Sequence, residues 1–196
     1  MSKNDYGLDF SLPFTMDFDL ASGLSCQGKS TQRKLSNIIG MFNDEEALQK
    51  MLEKEDELVY EFYELGAPDD AGDIAFGTSI IYPGKVGNEY FMTKGHFHSI
   101  LDTGETYMCL RGHGYMLLEN PEGEWSAKEL SPGKVVYCPK RWVHRSINVG
   151  NVTFVTFFAF RGDAGHDYGT IETKGYRKLI VEKDGKPEIV DNPRWK

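Results

Sequence analysis

From Leu58 onward the chain is written as short apolar runs of similar length cut by turn-forming residues, and this rhythm limits the fold more than any other feature. The runs "LVYEFYEL", "IAFGTSIIY", "NEYFMT", "TYMCL", "GYMLLE", "KVVYC", "VTFVTFFAF" and "RKLIVEK" are rich in aromatic and β-branched residues. Such side chains fit a pleated, half-buried surface, and runs this short read as strands. Between them stand "YPGKVGN", "RGHG", "NPEGE", "SPGK" and "KDGK", whose Gly, Pro and Asn residues supply the dihedrals of tight turns. Strands joined this way predict an antiparallel sandwich or barrel.

The segment upstream has a different character. "LDFSLPFTMDFDL" predicts an extended arm whose Phe10, Phe14 and Phe18 need an apolar surface, for which a partner subunit is one source. "NDEEALQKMLEKED" predicts the one substantial helix, with Asn43 as its cap, Glu46 completing a capping box, and Leu48, Met51 and Leu52 as the apolar stripe. A chain of 196 residues suits one core with an appendage. Residues 1–70 are therefore read as an arm and helix belonging to the same domain as a barrel over 71–196.

Composition removes several classes of function. A hydrophobic share of 40% excludes a disordered tail protein, and the longest apolar run is too short to span a bilayer as a helix. "MSKNDYGLDF" places acidic and polar residues where a signal sequence needs an apolar core, so the expected location is the cytoplasm. Cys26, Cys109 and Cys138 are odd in number and lack CxxC spacing, which indicates thiols and no disulfide framework. A net charge of -8 without a basic run argues against nucleic acid, and an anionic ligand would need a local positive site.

Chemistry concentrates in "TKGHFHSILDTGETYMCLRGHGYMLLEN". On a strand His96 and His98 share a face, and Glu105 follows a plausible hairpin connection so that its carboxylate returns to the same point. His144 adds a third imidazole after a strand, a proline turn and another strand. Three imidazoles and a carboxylate suit a divalent first-row metal with open positions for a small molecule. An isolated HxH is ordinarily a chance pair on a strand; Glu105, Gly112, Pro139, His144 and Asn148 in addition make it a site. Tyr107 shares the parity of Glu105 and faces the interior, as a core or a functional residue. His166 stands in the polar loop "DAGHDYGTI", and His113, between two glycines, reads as a turn residue.

With these residues the chain resembles the cupins, small β-barrels marked by a glycine-led HxH–Glu–Gly motif and a later Gly–Pro–Gly–His–Asn motif. The second is matched at Gly133, Pro139, His144 and Asn148, with Arg141 in place of its central glycine. In the first, His96, His98, Glu105 and Gly112 match, although the gap before Glu105 is longer and the leading glycine is absent. Both departures are features of the cupin-type glucose-6-phosphate isomerases, which the chain also resembles in "PGKVGNEYFMTKGHFH", "CPKRWVHRSINVG", "DAGHDYGTI" and "DNPRWK".

The resemblance implies an all-β, jelly-roll-like barrel and a metal on His96, His98, Glu105 and His144, Fe(II) first and Mn, Zn or Ni as substitutes. It implies a sugar phosphate in the barrel mouth, its phosphate held at Ser79, Thr93 and Gly95 with Lys94 close by, and His166 and Tyr168 in contact with the sugar. Glu105, Tyr107 and His166 become the expected catalytic residues, while Thr156 and Phe160 depart from the aromatic and tyrosine that relatives carry. A cupin dioxygenase and a sugar-binding module without turnover are the rival readings, and the "TKGHFH" and "GHDYG" runs favour the isomerase. The arm and the need to cover sheet edges predict a homodimer.

Overall fold

The apolar runs pair antiparallel throughout the computed structural model, which describes residues 7–65 and 70–195. The opening residues on which the leader argument partly rests, 1–6, lie outside that description. Strand β1 (Thr31–Lys34) passes through one turn of 3-10 helix into α1 (Glu45–Lys54), followed by β2 (Leu58–Leu65), β3 (Ile74–Ile81), β4 (Lys85–Val86) and β5 (Glu89–Tyr90). Then come β6 (Glu105–Arg111), β7 (Gly114–Glu119), β8 (Trp125–Leu130), β9 (Val135–Cys138), β10 (Val143–Asn148) and β11 (Phe154–Arg161). A short helix α2 (Gly169–Lys174) precedes the hairpin β12 (Lys178–Lys183) and β13 (Lys186–Asp191).

The strands form a six-stranded sheet ordered β1-β2-β3-β11-β6-β9, a three-stranded sheet β10-β7-β8 and a four-stranded sheet β13-β12-β5-β4. Among the described residues this is an all-β, jelly-roll-like barrel with two short α-helices. The first sheet crosses the division drawn at residue 70, since β2 pairs with β3 along most of its length. Between the sheets lies the main core, with Phe42, Phe91, Met116, Leu117 and Phe154 fully buried. No helix among the described residues is long and apolar enough to cross a membrane.

Four expectations change. The helix is capped by Asp44, whose carboxylate accepts the Ala47 amide at 2.9 Å, so the Asn43–Glu46 capping box does not form. In "NEYFMT" only Glu89 and Tyr90 are in a strand, because the chain then crosses between sheets: Met92 bridges to Ile147 and Thr93 bonds to Ser146. His96 and Phe97 are likewise held by isolated bridges, to His144 and Asp167, and not by a continuous ladder. Finally, the arm finds its apolar surface within the chain. Phe14 stacks on Phe76 and Phe18 meets Tyr63 edge-on, while Met16 and Phe18 cover the outer-face cluster of Tyr63, Ile80 and Val155. The sequence argument that the arm needs a partner subunit is thereby answered inside one subunit.

Candidate functional site

Glu105 opens β6 and, like Tyr107 and Cys109 at alternate positions, points inward. The bridge between His96 and His144 brings the HxH segment beside β10, and the donor atoms of His96, His98, Glu105 and His144 all lie within 4.8 Å of one another. From Glu105 Oε2, the Nε2 atoms stand at 2.8 Å for His144, 3.2 Å for His98 and 3.9 Å for His96. Behind the cluster, His98 Nδ1 donates to the Gly165 carbonyl and His144 Nδ1 to the Trp142 carbonyl, each at 3.3 Å. These bonds turn the lone pairs of Nε2 toward a common centre, as outer partners do around a metal.

The close approach of His144 and His98 to Glu105 lacks hydrogen-bond angles: the three Nε2 atoms and both carboxylate oxygens of Glu105 are buried without a hydrogen-bond partner. Leaving so many acceptors dry is costly, and a cation at their centre would satisfy them together. Burial and the neighbouring His144 hold His96 far below its ordinary range, so it is neutral. Burial pushes Glu105 upward, but His144, His98 and His96 outweigh it and keep the carboxyl below its usual range. Neutral imidazoles and an ionised carboxylate are the forms in which these groups bind metal. This set could hold a metal ion.

The cluster forms one side of a cavity that is also lined by Ser79, Thr93, Gly95, Tyr107, Ser146, Phe158, Phe160, His166 and Tyr168. Thr93 is clamped to β10, its amide donating to Ser146 O at 3.0 Å and its hydroxyl accepting the Ser146 amide at 3.1 Å. Gly95 has φ +74°, and a Cβ there would lie 2.0 Å from Tyr176 Oη and 2.7 Å from the His144 carbonyl. Only glycine fits this approach. Lys94 differs from its neighbours: its side chain pairs with Glu172 at 2.7 Å and does not line the cavity. Positive charge also lies behind this loop, where buried Arg145 donates from Nη2 to the Lys94 carbonyl at 2.7 Å and lies 4.2 Å over the Tyr176 ring.

On the opposite side His166 stacks on Tyr168 at 5.7 Å and 16°, and its ring centre is 4.3 Å from that of His96. Two backbone bonds between Phe97 and Asp167 pin this loop to the HxH segment. Burial depresses His166 to about 4 and raises Tyr168 to about 12. Burial first, then Glu105, raises Tyr107 well above the phenol range. Phe160 lines the cavity, whereas Thr156 is buried outside it; His113 pairs with exposed Glu129 at 2.7 Å, away from the cavity.

Five lining residues escaped the sequence reading: Tyr60, Phe62, Glu64, Ser146 and Phe158. The signal for three of them was present, since alternate positions of "LVYEFYEL" share a face. Glu64 comes within 3.6 Å of His166 Nε2, and burial followed by the charge of Glu105 raises its carboxyl to about 7. Arg141, at the place of the cupin motif's glycine, has φ +69°, the left-handed conformation that glycine adopts freely.

The family model described as glucose-6-phosphate isomerase matches residues 32–195. A glucose-6-phosphate isomerase of Thermococcus litoralis is 47% identical over 189 residues, covering 96% of this chain and 100% of that one. One from Pyrococcus furiosus is 46% identical, covering 94% of this chain and 97% of its own, and one from Sinorhizobium medicae is 37% identical, covering 94% and 88%. The matches run through the barrel and the histidine–glutamate cluster alike, and the chain belongs to the glucose-6-phosphate isomerase family.

Proposed function

We propose that the chain interconverts D-glucose 6-phosphate and D-fructose 6-phosphate in both directions, with one divalent metal held by His96, His98, Glu105 and His144. The observation that carries the metal is the ring of buried donor atoms without hydrogen-bond partners. Nitrogen-rich ligation with one carboxylate suits Fe(II), and Mn, Zn or Ni as substitutes. A divalent ion bound there supplies Lewis-acid stabilisation of negative charge on the sugar oxygens at C1 and C2.

The protein's own groups do the rest. The Ser79 and Thr93 hydroxyls and the Gly95 backbone hold the phosphate, with Arg145 behind the loop and Lys94 at its rim adding positive charge. Neutral His166, steadied by Tyr168, carries the proton at the ring oxygen as the sugar opens. Phe158 and Phe160 keep water from the reacting carbons. Glu105 removes the C2 proton of the open-chain aldose and, after exchange with solvent, delivers a proton to C1 while the C2 hydroxyl proton passes to the C1 oxygen, with Tyr107, two residues along the strand, aligning the carboxylate. Conversion in deuterated water places deuterium at C1 of fructose 6-phosphate on this route, whereas product free of deuterium would indicate direct hydrogen transfer between the carbons.

The reading also includes a cytoplasmic homodimer serving glycolysis or gluconeogenesis. With the arm packed on its own sheet, support for a second subunit comes from the outer patch of Met108, Val135 and Tyr137 on β6 and β9, exposed by 40%, 60% and 67%. A monomer mass by light scattering would remove the dimer. The test of the function is fructose 6-phosphate formation by chelator-stripped protein given Fe(II), Mn(II) or Zn(II) without oxygen. Turnover that depends on metal and is lost in His96→Ala supports the reading, and no turnover with any metal overturns it.

A further inference from the structure

Behind the Lys94–Gly95 turn lies a second cavity, of about 200 Å³, which shares no lining residue with the first. One of its walls is Arg145, which stands between His144 and Ser146 on β10 and by strand alternation faces away from them. Arg145 is 2% exposed. Its Nε and Nη2 donate to the Lys94 carbonyl and its Nη1 to the Met92 sulfur, which engages three of the five N–H donors of its fork. Among the described residues no carboxylate pairs with it, and Glu89 and Glu119 act on it from beyond ion-pair distance. The Tyr176 ring, 4.2 Å away, offsets a part of its charge. The remaining charges of the cavity leave that surplus standing. Glu172 is taken by Lys94 and Arg194 by Glu45, each at 2.7 Å, while Lys174, at the end of α2, has no partner among the described residues. Tyr176 Oη and Asn43 Oδ1 are buried without hydrogen-bond partners. Water can fill such a space and meet the hydroxyl and the amide, but it leaves the charge of a buried guanidinium unmatched.

We propose that this rear cavity is an anion site for a phosphate group, free or on a small organic molecule, and that filling it loosens the phosphate seat in front. Arg145 and Lys174 take the phosphate oxygens. Two cations match the roughly two negative charges of a phosphate, a closer match than a single carboxylate offers. The effect on the front seat rests on the isomerase reading, in which Thr93 and Gly95 hold the phosphate of the sugar. Arg145 holds the Lys94 carbonyl at 2.7 Å, and Tyr176 Oη lies 2.0 Å from where a Gly95 Cβ would stand, so two walls of the rear cavity touch the loop from behind. An anion at the rear draws on the guanidinium charge that supports the front phosphate, and the two ligands weaken each other by the same factor.

The test is a titration of inorganic phosphate, and separately of glycerol 3-phosphate, into the full metal-free chain at constant ionic strength. Proton–nitrogen NMR reads the amides of Gly175 and Asn192 for the rear cavity and that of Ser79 for the front. The expected result is saturable binding at the rear amides, weakened about tenfold by Arg145→Lys, which keeps the charge and loses the fork, and about fivefold by Lys174→Glu. Binding read at Ser79 stays unchanged in Lys174→Glu. Tighter binding of glycerol 3-phosphate assigns the site to an organic phosphate, and tighter binding of inorganic phosphate to the free ion. No saturation at the rear amides, or equal affinity in the wild type and Lys174→Glu, means an adventitious ion only and overturns the proposal. Should Arg145→Lys fail to fold, Lys174→Glu decides, because its side chain is exposed. Isomerisation is assayed on the metal-loaded enzyme: inorganic phosphate should raise KM for glucose 6-phosphate about fivefold more in the wild type than in Lys174→Glu, with kcat and the phosphate-free KM alike in both. Equal inhibition overturns the coupling to the front seat. Absence of turnover with any metal sinks the isomerase reading alone, and the rear site then stands or falls on the titration.

Discussion

Glu105 on β6 and Glu119 on β7 are both strand glutamates and each is 2% exposed, yet they are buried on opposite terms. Glu119 accepts the backbone amides of Arg177 and Lys178 at 2.9 and 3.0 Å and has the Arg177 guanidinium at 3.5 Å. It ties the start of the C-terminal hairpin to the barrel. Glu105 faces three imidazoles and has no hydrogen bond for either oxygen. Their pKa directions are opposite: burial dominates at Glu119 and raises it despite the amides and Arg177, whereas at Glu105 the imidazoles overcome burial. Depth alone therefore does not mark a functional carboxyl. The mark is unfinished bonding, because native interiors rarely leave such oxygens dry without a ligand to complete them.

The comparison can be broken in several ways. The largest effect is expected in turnover: Glu105→Ala should lower kcat/KM by about 10³-fold, and Glu119→Ala by less than about tenfold, in a coupled fructose 6-phosphate assay. Equal losses would mean that the two carboxyls do not differ in kind. Next is the response to metal. Mn(II) at about a thousand times its dissociation constant should stabilise the wild type by about 4 kcal/mol in thermal unfolding, and His144→Ala should lose most of that gain. Third, urea unfolding of metal-free protein should show Glu119→Ala less stable by about 2–3 kcal/mol, since two amides and an arginine lose their acceptor. Glu105→Ala should cost much less there, because it removes oxygens that had no partner.

A smaller effect concerns pH. Burial and the charge of Glu105 raise Glu64 to about 7 from the 4.5 of a free glutamate, so the native state of the metal-free protein retains a proton that the unfolded chain has released. Its contribution to stability is therefore lost as pH rises from about 4.5 to about 7 and is constant beyond. Glu64→Gln should match the wild type near pH 4 and exceed it at pH 8 by on the order of 2 kcal/mol, read from chemical denaturation at both values. The smallest change is at Arg141, where glycine would relieve the left-handed backbone but lose the 2.7 Å pair with Glu122 and free the unfolded chain. Arg141→Gly should shift stability by less than about 1 kcal/mol.

Much of this was legible before any coordinates. Period-two runs and Gly/Pro punctuation give the strands because each strand's two faces meet different surroundings. The residue types of the HxH run, Glu105 and the later histidine pointed to the cluster, but the contacts that assemble it are long-range: His96 bridges to His144, and the strand of Glu105 pairs with β11 and β9. What escaped depended on long-range packing. "WSAKEL" and "KPEIVD" are strands because β7 and β12 offer them edges, not because their own residues demand it. The arm's destination, the sheet of Tyr63 and Ile80, is fixed by a surface that exists only after folding. Alternation in "LVYEFYEL" puts Tyr60, Phe62 and Glu64 on one face, but that this face lines the cavity is decided only by closure of the barrel.

The clamp between Thr93 and Ser146 makes β10 a measuring rule. One strand holds His144 at one mark and, through Ser146, the Thr93 loop two residues further on, a covalent separation of about 6.6 Å. Because the rule is a buried strand and not a loop, its length does not adjust to the guest. On the proposed reading, with the phosphate at Thr93 and a metal on His144, a sugar phosphate shorter by one carbon would reach one of the two and miss the other. Selection by chain length would then be built into backbone pitch.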